Sequence, residues 1–399
     1  MKKFLIVCSI SALLYGDNLG DILSKNKSQL FEYDTKSNEL QSDMLTKSWI
    51  NPISLQYSKN YTTQYTTKTY HTDSYSVSID QPIFKSGGIY YAIKYAKALH
   101  DTNLDNIKLQ KRSMIANAVS ILFNLKKLKL EEKKIKYVLK NDKIDIIQKR
   151  DSYNAGLLDS SFLDQALLKK SQDETNLLQL QFSQLELKQQ FALLSDKNPD
   201  KLKLPKLKLI SKNYYKSRNL VLKKDRDYVR QTKYEAKMTQ SQYLPTISLR
   251  GQYINSDSNP AYSTTYPPTT RDNYYNYGFS ISMPLSINTM SDIELAKVKH
   301  LRAATQAIDT KHTVNEEYNW IINSLNVLDK KIALTKKDIK LYKNLYTLTK
   351  NLVKAGQKTK LDSDVMYNSW QIRKFDRKIY EIEKQLQLLK LYMRVENVI

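Results

Sequence analysis

Histidine, cysteine and the carboxylates most often carry catalysis or bind metals in proteins, and their spacing here favours neither. The sequence has 4 histidines and 1 cysteine in 399 residues. His300 and His312 lie about 120° apart around a helix, so they do not share a face. No hydrolase-triad spacing, phosphate loop or dinucleotide fingerprint occurs. We therefore expect no enzyme, no catalytic residue, no cofactor and no metal site.

The N-terminus has the composition of a secretory signal peptide. Two lysines follow Met1, and the apolar run from Phe4 to Leu14 is too short to span a bilayer. We predict residues 1–16 to be this signal peptide. Cys8 lies inside it, so the mature chain is expected to have no disulfide and no zinc–thiolate site.

The overall composition excludes several classes of protein. Hydrophobic residues make up 41% of the chain and aromatic residues 10%, which argues against disorder. Only 8 glycines and 9 prolines interrupt the chain, so long regular elements are expected. The formal charge is +24, but the lysines are spread along predicted helix surfaces, so we expect no nucleic-acid partner.

The two halves of the chain match each other at an offset of 200 residues. Ile93–His100 parallels Ile293–His300, and Ala155-Gly156 parallels Ala355-Gly356. His100 and His300 thus occupy equivalent positions, where helix packing is expected and metal binding is not.

We predict residues 17–205 and 206–399 to be two structural repeats within one intertwined domain. Each repeat is expected to contain a helix, a β-hairpin and a long helical hairpin. From Gly87 to Ala155 the chain has no proline and no glycine beyond Gly88, which predicts a helix about 100 Å long at 1.5 Å per residue. The Ala-Gly pairs are predicted to be the turns of the helical hairpins.

Both long helices carry a ladder of residues with alternating spacings of four and three, which places them on one seam. The first ladder is Met114, Ala118, Ile121, Leu125, Leu128, Glu132, Ile135, Leu139, Asp142 and Ile146. The second is Val314, Tyr318, Ile321, Leu325, Leu328, Ile332, Thr335, Ile339, Tyr342 and Tyr346. Such seams are typical of coiled-coil packing.

Apolar and polar residues alternate in four other segments: Pro52–Ser58, Tyr75–Asp80, Pro245–Arg250 and Tyr277–Pro284. They predict two β-hairpins with strands of about 10–12 residues, in a half-buried soluble sheet or a barrel wall facing lipid. Many of the 29 tyrosines cluster here, as in the aromatic girdle of an outer-membrane barrel, although tyrosine is also a good strand former.

Four strands cannot close a barrel, and open edges are not tolerated in lipid. Three chains would supply twelve strands, a common number for such barrels. The hairpin tips, Thr62–Thr69 and Asn255–Asn273, are polar and are predicted to be loops in water.

Four segments carry a resemblance to a known family: Tyr243–Leu249, Ser78–Gly88, Ala155–Ser161 and Ala355–Asp362. In their order and spacing the chain resembles the TolC-like outer-membrane efflux protein family over nearly its whole mature length. The resemblance implies a homotrimer with a twelve-stranded barrel in outer-membrane lipid and an α-helical tunnel in the periplasm. It also implies a periplasmic adaptor protein and an inner-membrane transporter as partners.

The resemblance further implies that the hairpin turns at Gly156 and Gly356 contact the adaptor, and that the tunnel closes at this end. By position, Lys358 matches a basic residue of the closing network and Asp362 an acidic residue of the narrowest ring. Asp364 and Ser161 are assigned to the same constriction. Phe162 occupies a position where the family is expected to have a charged residue. Alternatively, Asp362 and Asp364 are helix N-terminal carboxylates favoured by the helix dipole.

Together these patterns predict a mostly α-helical chain with four transmembrane strands. The predicted function is that of an outer-membrane channel in a tripartite efflux pump or a type I secretion system of a Gram-negative cell. The alternative is an exported coiled-coil structural protein or adhesin, in which the strands form a soluble sheet.

Overall fold

The computed structural model describes residues 19–63, 70–259 and 273–396. The predicted signal peptide and most of the predicted hairpin tips lie outside these ranges. The division into repeats at residues 205 and 206 stays a prediction.

The described chain is mostly helical, with four strands, which confirms the predicted fold class. After a 3-10 turn at Leu19–Ile22, the helices are α1 (Lys25–Lys47), α2 (Gly88–Asn154), α3 (Ser160–Ala192), α4 (Lys212–Ser217), α5 (Leu220–Gln242), α6 (Thr289–Lys354) and α7 (Lys360–Tyr392). The strands are β1 (Ser54–Thr62), β2 (Tyr70–Phe84), β3 (Thr246–Asn259) and β4 (Asn273–Ser282). Helices α2 and α6 have 67 and 66 residues, close to the length expected from the lack of proline and glycine. No described helix combines the length and apolar character needed to cross a bilayer.

The chain divides into two compact units. Among the described residues, the first comprises 19–32, 108–220 and 313–396, and the second comprises 33–63, 70–107, 221–259 and 273–312.

The core of the first unit contains the two predicted seams. Seven of the ten residues of the second ladder are less than a tenth exposed: Val314, Tyr318, Ile321, Leu325, Leu328, Ile332 and Thr335. In the first ladder, Ala118, Ile121, Leu125, Leu139, Asp142 and Ile146 are buried to the same degree. The 4-3 spacing therefore predicted the packing face of both helices.

The second unit contains an antiparallel sheet with strand order β1-β2-β3-β4. Strand β2 was predicted to end before Gln81-Pro82, which is wrong. It continues to Phe84, and an irregularity between Pro82 and Phe84 accommodates the proline, which cannot donate to the ladder.

Glycines make the connection from β2 to α2 possible. Gly87 has a φ of 86°, and Ser86 just before it also has a positive φ of 48°. A Cβ on Gly88 would lie 2.7 Å from the Ser241 hydroxyl, so α2 and α5 approach closely only because this position is glycine.

Candidate functional site

One face of the sheet is apolar and exposed. The register pairs Leu55 with Val77, Tyr57 with Tyr75, Tyr253 with Tyr275, Leu249 with Phe279 and Ile247 with Ile281. Val77 of β2 pairs with Tyr253 of β3, so the apolar residues of the β1–β2 hairpin and of the β3–β4 hairpin lie on the same face of the sheet. Most of these side chains are exposed, from 40% for Val77 to 78% for Leu55. A soluble chain rarely leaves such a continuous apolar surface uncovered.

The opposite face is polar. Ser54 pairs with Ser78, Gln56 with Ser76, Ser248 with Ser280 and Thr246 with Ser282. Asp80 and Arg250 form an ion pair on this face at 2.8 Å. The predicted alternation is therefore confirmed: Leu249, Phe279 and Ile281 lie on one face, and Ser248, Ser280 and Ser282 lie on the other.

Aromatic rings pair across the strands on the apolar face. The ring centroids of Tyr57 and Tyr75 are 4.8 Å apart, and those of Tyr253 and Tyr275 are 4.9 Å apart. Such cross-strand aromatic pairs stabilise neighbouring strands.

The two helical hairpin turns have the same backbone geometry. Gly156 and Gly356 have φ values of 69° and 72°. The Gly156 amide donates to the carbonyl of Tyr153, and the Leu157 amide donates to that of Ser152. The second turn repeats both hydrogen bonds. Helices α2 and α6 therefore each end in a Schellman motif, which needs a residue with left-handed backbone conformation. A Cβ added at either glycine would meet no atom within 4 Å, so the requirement for glycine comes from the backbone alone.

The helices that follow the two turns begin with different caps. In the first turn, Asp159 accepts a hydrogen bond from the Ser161 amide at 2.8 Å. In the second, Thr359 and Asp362 form a reciprocal capping box: the Asp362 amide donates to the Thr359 hydroxyl, and the Thr359 amide donates to the Asp362 carboxylate. Each arrangement satisfies amides that the first helical turn leaves unpaired.

Asp362 also links two helices. Its carboxylate accepts a hydrogen bond at 3.2 Å from the side-chain amide of Gln148 on α2. The hydrogen bonds from Thr359, assisted by the positive charge of Lys358 and by Gln148, hold the pKa of Asp362 below its ordinary value. In a single chain this carboxylate is therefore a helix cap and an α2–α7 contact, as the helix N-terminal alternative expected.

The other predicted constriction residues are less constrained. Lys358 and Ser161 are exposed, and Asp364 is half-buried. Lys358 makes no ion pair with a carboxylate among the residues that the structure describes. Whether these side chains meet those of other copies stays a prediction.

Sequence reasoning missed the polar contact between α2 and α7. The Asn368 side-chain amide, only 5% exposed, donates to the Asn141 side chain at 2.9 Å, and Asn141 in turn donates to Ser369. Lys134 pairs with Asp376 at 2.7 Å further along. The capping box could have been found from the T-x-x-D pattern at residues 359–362, but the α2–α7 partners are more than 220 residues apart for Asn141 and Asn368 and carry no local signal.

His100 and His300 make hydrogen bonds within the protein. The His100 carbonyl accepts from Asn38, and the His300 ring lies 3.3 Å from the Thr232 hydroxyl. Within the described ranges, no group of three or more His, Cys, Asp or Glu side chains is placed to hold a metal ion.

Comparisons with known proteins give structural matches only. No protein-family model matches the sequence, and no curated protein matches it. The outer membrane protein VceC from Vibrio cholerae superposes with a TM-score of 0.71 at 15% identity, covering 94% of this chain and 95% of that chain. The Campylobacter jejuni CmeC outer membrane channel has a TM-score of 0.71 at 12% identity, covering 95% and 85%.

The Neisseria gonorrhoeae MtrE outer membrane channel, in its open state, has a TM-score of 0.66 at 11% identity, covering 94% of this chain and 86% of that chain. Each of these matches covers 94% or more of this chain. The chain therefore has the fold of the TolC-like outer-membrane channel proteins.

Proposed function

We propose that the chain is a channel in the outer membrane of a Gram-negative cell and that it extends into the periplasm. The observation that carries this proposal is the sheet with one exposed apolar face and one polar face. An apolar face toward lipid and a Ser-rich face toward a water-filled lumen is the pattern of an outer-membrane barrel wall. The protein would conduct solutes and carry out no chemical reaction.

We infer that three copies close the barrel. Strands β1 and β4 each have a partner on one side only in the described sheet, which leaves two open edges. Lipid offers no hydrogen bonds to such edges, so β1 of one copy must pair with β4 of the next. Three chains give twelve strands, and this closure leaves no edge.

The helical hairpin turns are proposed to contact a periplasmic adaptor of a tripartite efflux pump or a type I secretion system, together with an inner-membrane transporter. Residues around Gly156 and Gly356 are exposed, and both turns have the same Schellman geometry. If this is correct, bulky substitutions there abolish export while trimers still form. Loss of trimers together with export would instead make the turns structural.

The constriction is proposed to include Asp362, Asp364, Lys358 and Ser161. Three-fold symmetry would bring the aspartates of three copies toward one axis, and a ring of carboxylates favours cations. Like carboxylates held close raise one another's pKa, and the hydrogen bonds from Thr359 that lower the pKa of Asp362 in one chain would oppose that effect.

Planar-bilayer recording of the purified protein tests this proposal. We expect stable channels with a cation preference that falls in the Asp362→Ala, Asp364→Ala double variant. The matched control replaces two exposed aspartates on other helices, Asp34→Ala and Asp309→Ala, and should retain the preference. An absence of channels from wild-type protein would favour the exported coiled-coil alternative. Unchanged reversal potentials in the double variant would leave the channel intact and return both aspartates to helix capping.

Lys358 gives a second test of the constriction. If it forms an ion pair with a neighbouring copy, Lys358→Ala should raise the resting conductance. An unchanged conductance would remove Lys358 from the closing network.

A further inference from the structure

A lysine-rich segment contacts the helices of the first unit. Residues 201–210 read Lys-Leu-Lys-Leu-Pro-Lys-Leu-Lys-Leu-Ile and form neither helix nor strand. We name this segment the lysine strap. Its four lysines, Lys201, Lys203, Lys206 and Lys208, are exposed, whereas Leu207 and Ile210 are less than a tenth exposed and Leu202 and Leu204 are half-buried.

Side chains of α6 and α7 hold the second half of the strap in place. The Leu207 amide donates to the Gln385 side chain at 2.7 Å, and the Gln385 side chain donates back to the Leu207 carbonyl at 3.3 Å. The Tyr392 hydroxyl bonds both the amide and the carbonyl of Lys208, and the Tyr318 hydroxyl donates to the Ile210 carbonyl at 2.9 Å. The backbone from Leu207 to Ile210, which carries Lys208, is therefore fixed by α6 and α7.

The first half of the strap borders a groove of about 630 Å³. Its apolar walls include Leu122 and Leu125 of α2 and Leu202 and Leu204 of the strap. Lys126, Lys129, Lys201 and Lys203 supply its positive charges, and Asp200 is its one carboxylate.

The groove and strap carry an uncompensated positive charge. Asp200 is already shared by Lys129 and Lys188, and these two lysines hold its pKa below the ordinary value. Among the described residues, no carboxylate lies within ion-pair distance of the four strap lysines. A ligand with several carboxylates and small apolar groups would match both the lysines and the leucine-lined walls.

We propose that the lysine strap and its groove bind a carboxylate-bearing, peptide-linked polymer, namely the peptidoglycan layer. This inference rests on the proposed function, because a channel that extends from the outer membrane into the periplasm must pass that layer. Nucleic acid, another polyanion, is not expected as the ligand because the protein is proposed to lie outside the cytoplasm. A lipid surface is disfavoured because Leu209 is the one strongly exposed apolar side chain of the strap.

The test is co-sedimentation of the detergent-purified full-length protein with isolated peptidoglycan sacculi. The strap variant replaces Lys201, Lys203, Lys206 and Lys208 with glutamine. The matched control replaces four exposed lysines of α6 with glutamine, so that both variants lose four positive charges. These are Lys336, Lys337, Lys340 and Lys343.

We expect the dissociation constant to rise about thirtyfold in the strap variant, or about 2 kcal/mol, as four modest surface ion pairs would give. The control should bind like wild type, and higher salt should weaken wild-type binding. Blocking the sacculus carboxylates by amidation should reduce wild-type binding to the level of the strap variant.

Equal binding by the strap variant and the control would overturn the proposal, because the strap lysines would then serve only solubility. Binding to anionic phosphatidylglycerol vesicles but not to sacculi would overturn it in favour of a lipid ligand. Sizing and conductance are measured on the same samples. Trimers that conduct normally but do not bind sacculi refute the strap proposal alone, whereas failure to form channels refutes the proposed function.

Discussion

Placing arginine on either face of β3 distinguishes a lipid-facing barrel wall from a soluble sheet. Leu249 lies on the apolar face opposite Phe279 and is 50% exposed, and Ser248, its neighbour, lies on the polar face opposite Ser280. The perturbations are Leu249→Arg and Ser248→Arg, which introduce the same side chain one residue apart.

The expected cost follows from where each side chain would lie. An arginine facing lipid near the bilayer midplane costs about 2–4 kcal/mol per chain, whereas one facing the lumen costs much less. The cost for Leu249→Arg corresponds to a loss of about 30- to 700-fold in the folding constant. If the sheet were soluble, both would be ordinary surface substitutions, within about 0.5 kcal/mol of wild type.

The assay is refolding of the urea-denatured protein into lipid vesicles across a urea series. The folded fraction is the intensity of the band that unheated samples give on an SDS gel and that shifts in mobility when the sample is heated. We expect a clearly lower urea midpoint for Leu249→Arg and a near-wild-type midpoint for Ser248→Arg. Equal midpoints for the two variants would refute the assignment of the sheet faces.

Three further predictions concern the first unit. Alanine at Gly156 or Gly356 should cost about 1–2 kcal/mol in thermal unfolding and asparagine less, because only the left-handed backbone is strained; equal costs would point to side-chain crowding. Asp362 has a lowered pKa in the folded chain, so its contribution to stability is present above its ordinary pKa of 3.8 and is lost as the pH falls through the lower folded value. Asp362→Asn should therefore flatten the acid limb of a pH–stability curve, and an unchanged limb would contradict the capping role. Asn368→Ala should cost about 1–3 kcal/mol in denaturant unfolding, because the side-chain oxygen of Asn141 loses its donor while the Asn141 amide keeps Ser369 as acceptor. Replacing both asparagines with leucine should cost less.

Much of the fold could be predicted because its signals are local. The lack of proline and glycine predicted α2, the 4-3 ladder predicted its buried face, and period-two alternation predicted both faces of the sheet. Gly156 and Gly356 were identifiable as turns because a left-handed position after a helix strongly favours glycine.

The remaining features depend on partners that are distant in sequence. Gln148 and Asp362 are 214 residues apart, and no local sequence pattern at either residue predicts their hydrogen bond. The lysine strap does carry a local signal, the Lys-Leu alternation of residues 201–209. That alternation gives no sign that Gln385 and Tyr392 hold the strap against the helices, because those side chains come from α7.

The most direct test of the central claim is the mass of the protein extracted from outer membranes in detergent, measured by light scattering with correction for bound detergent. A channel closed by three copies predicts three times the mass of one mature chain and a band whose gel mobility changes on heating. A soluble monomer with no heat-modifiable form would contradict the account.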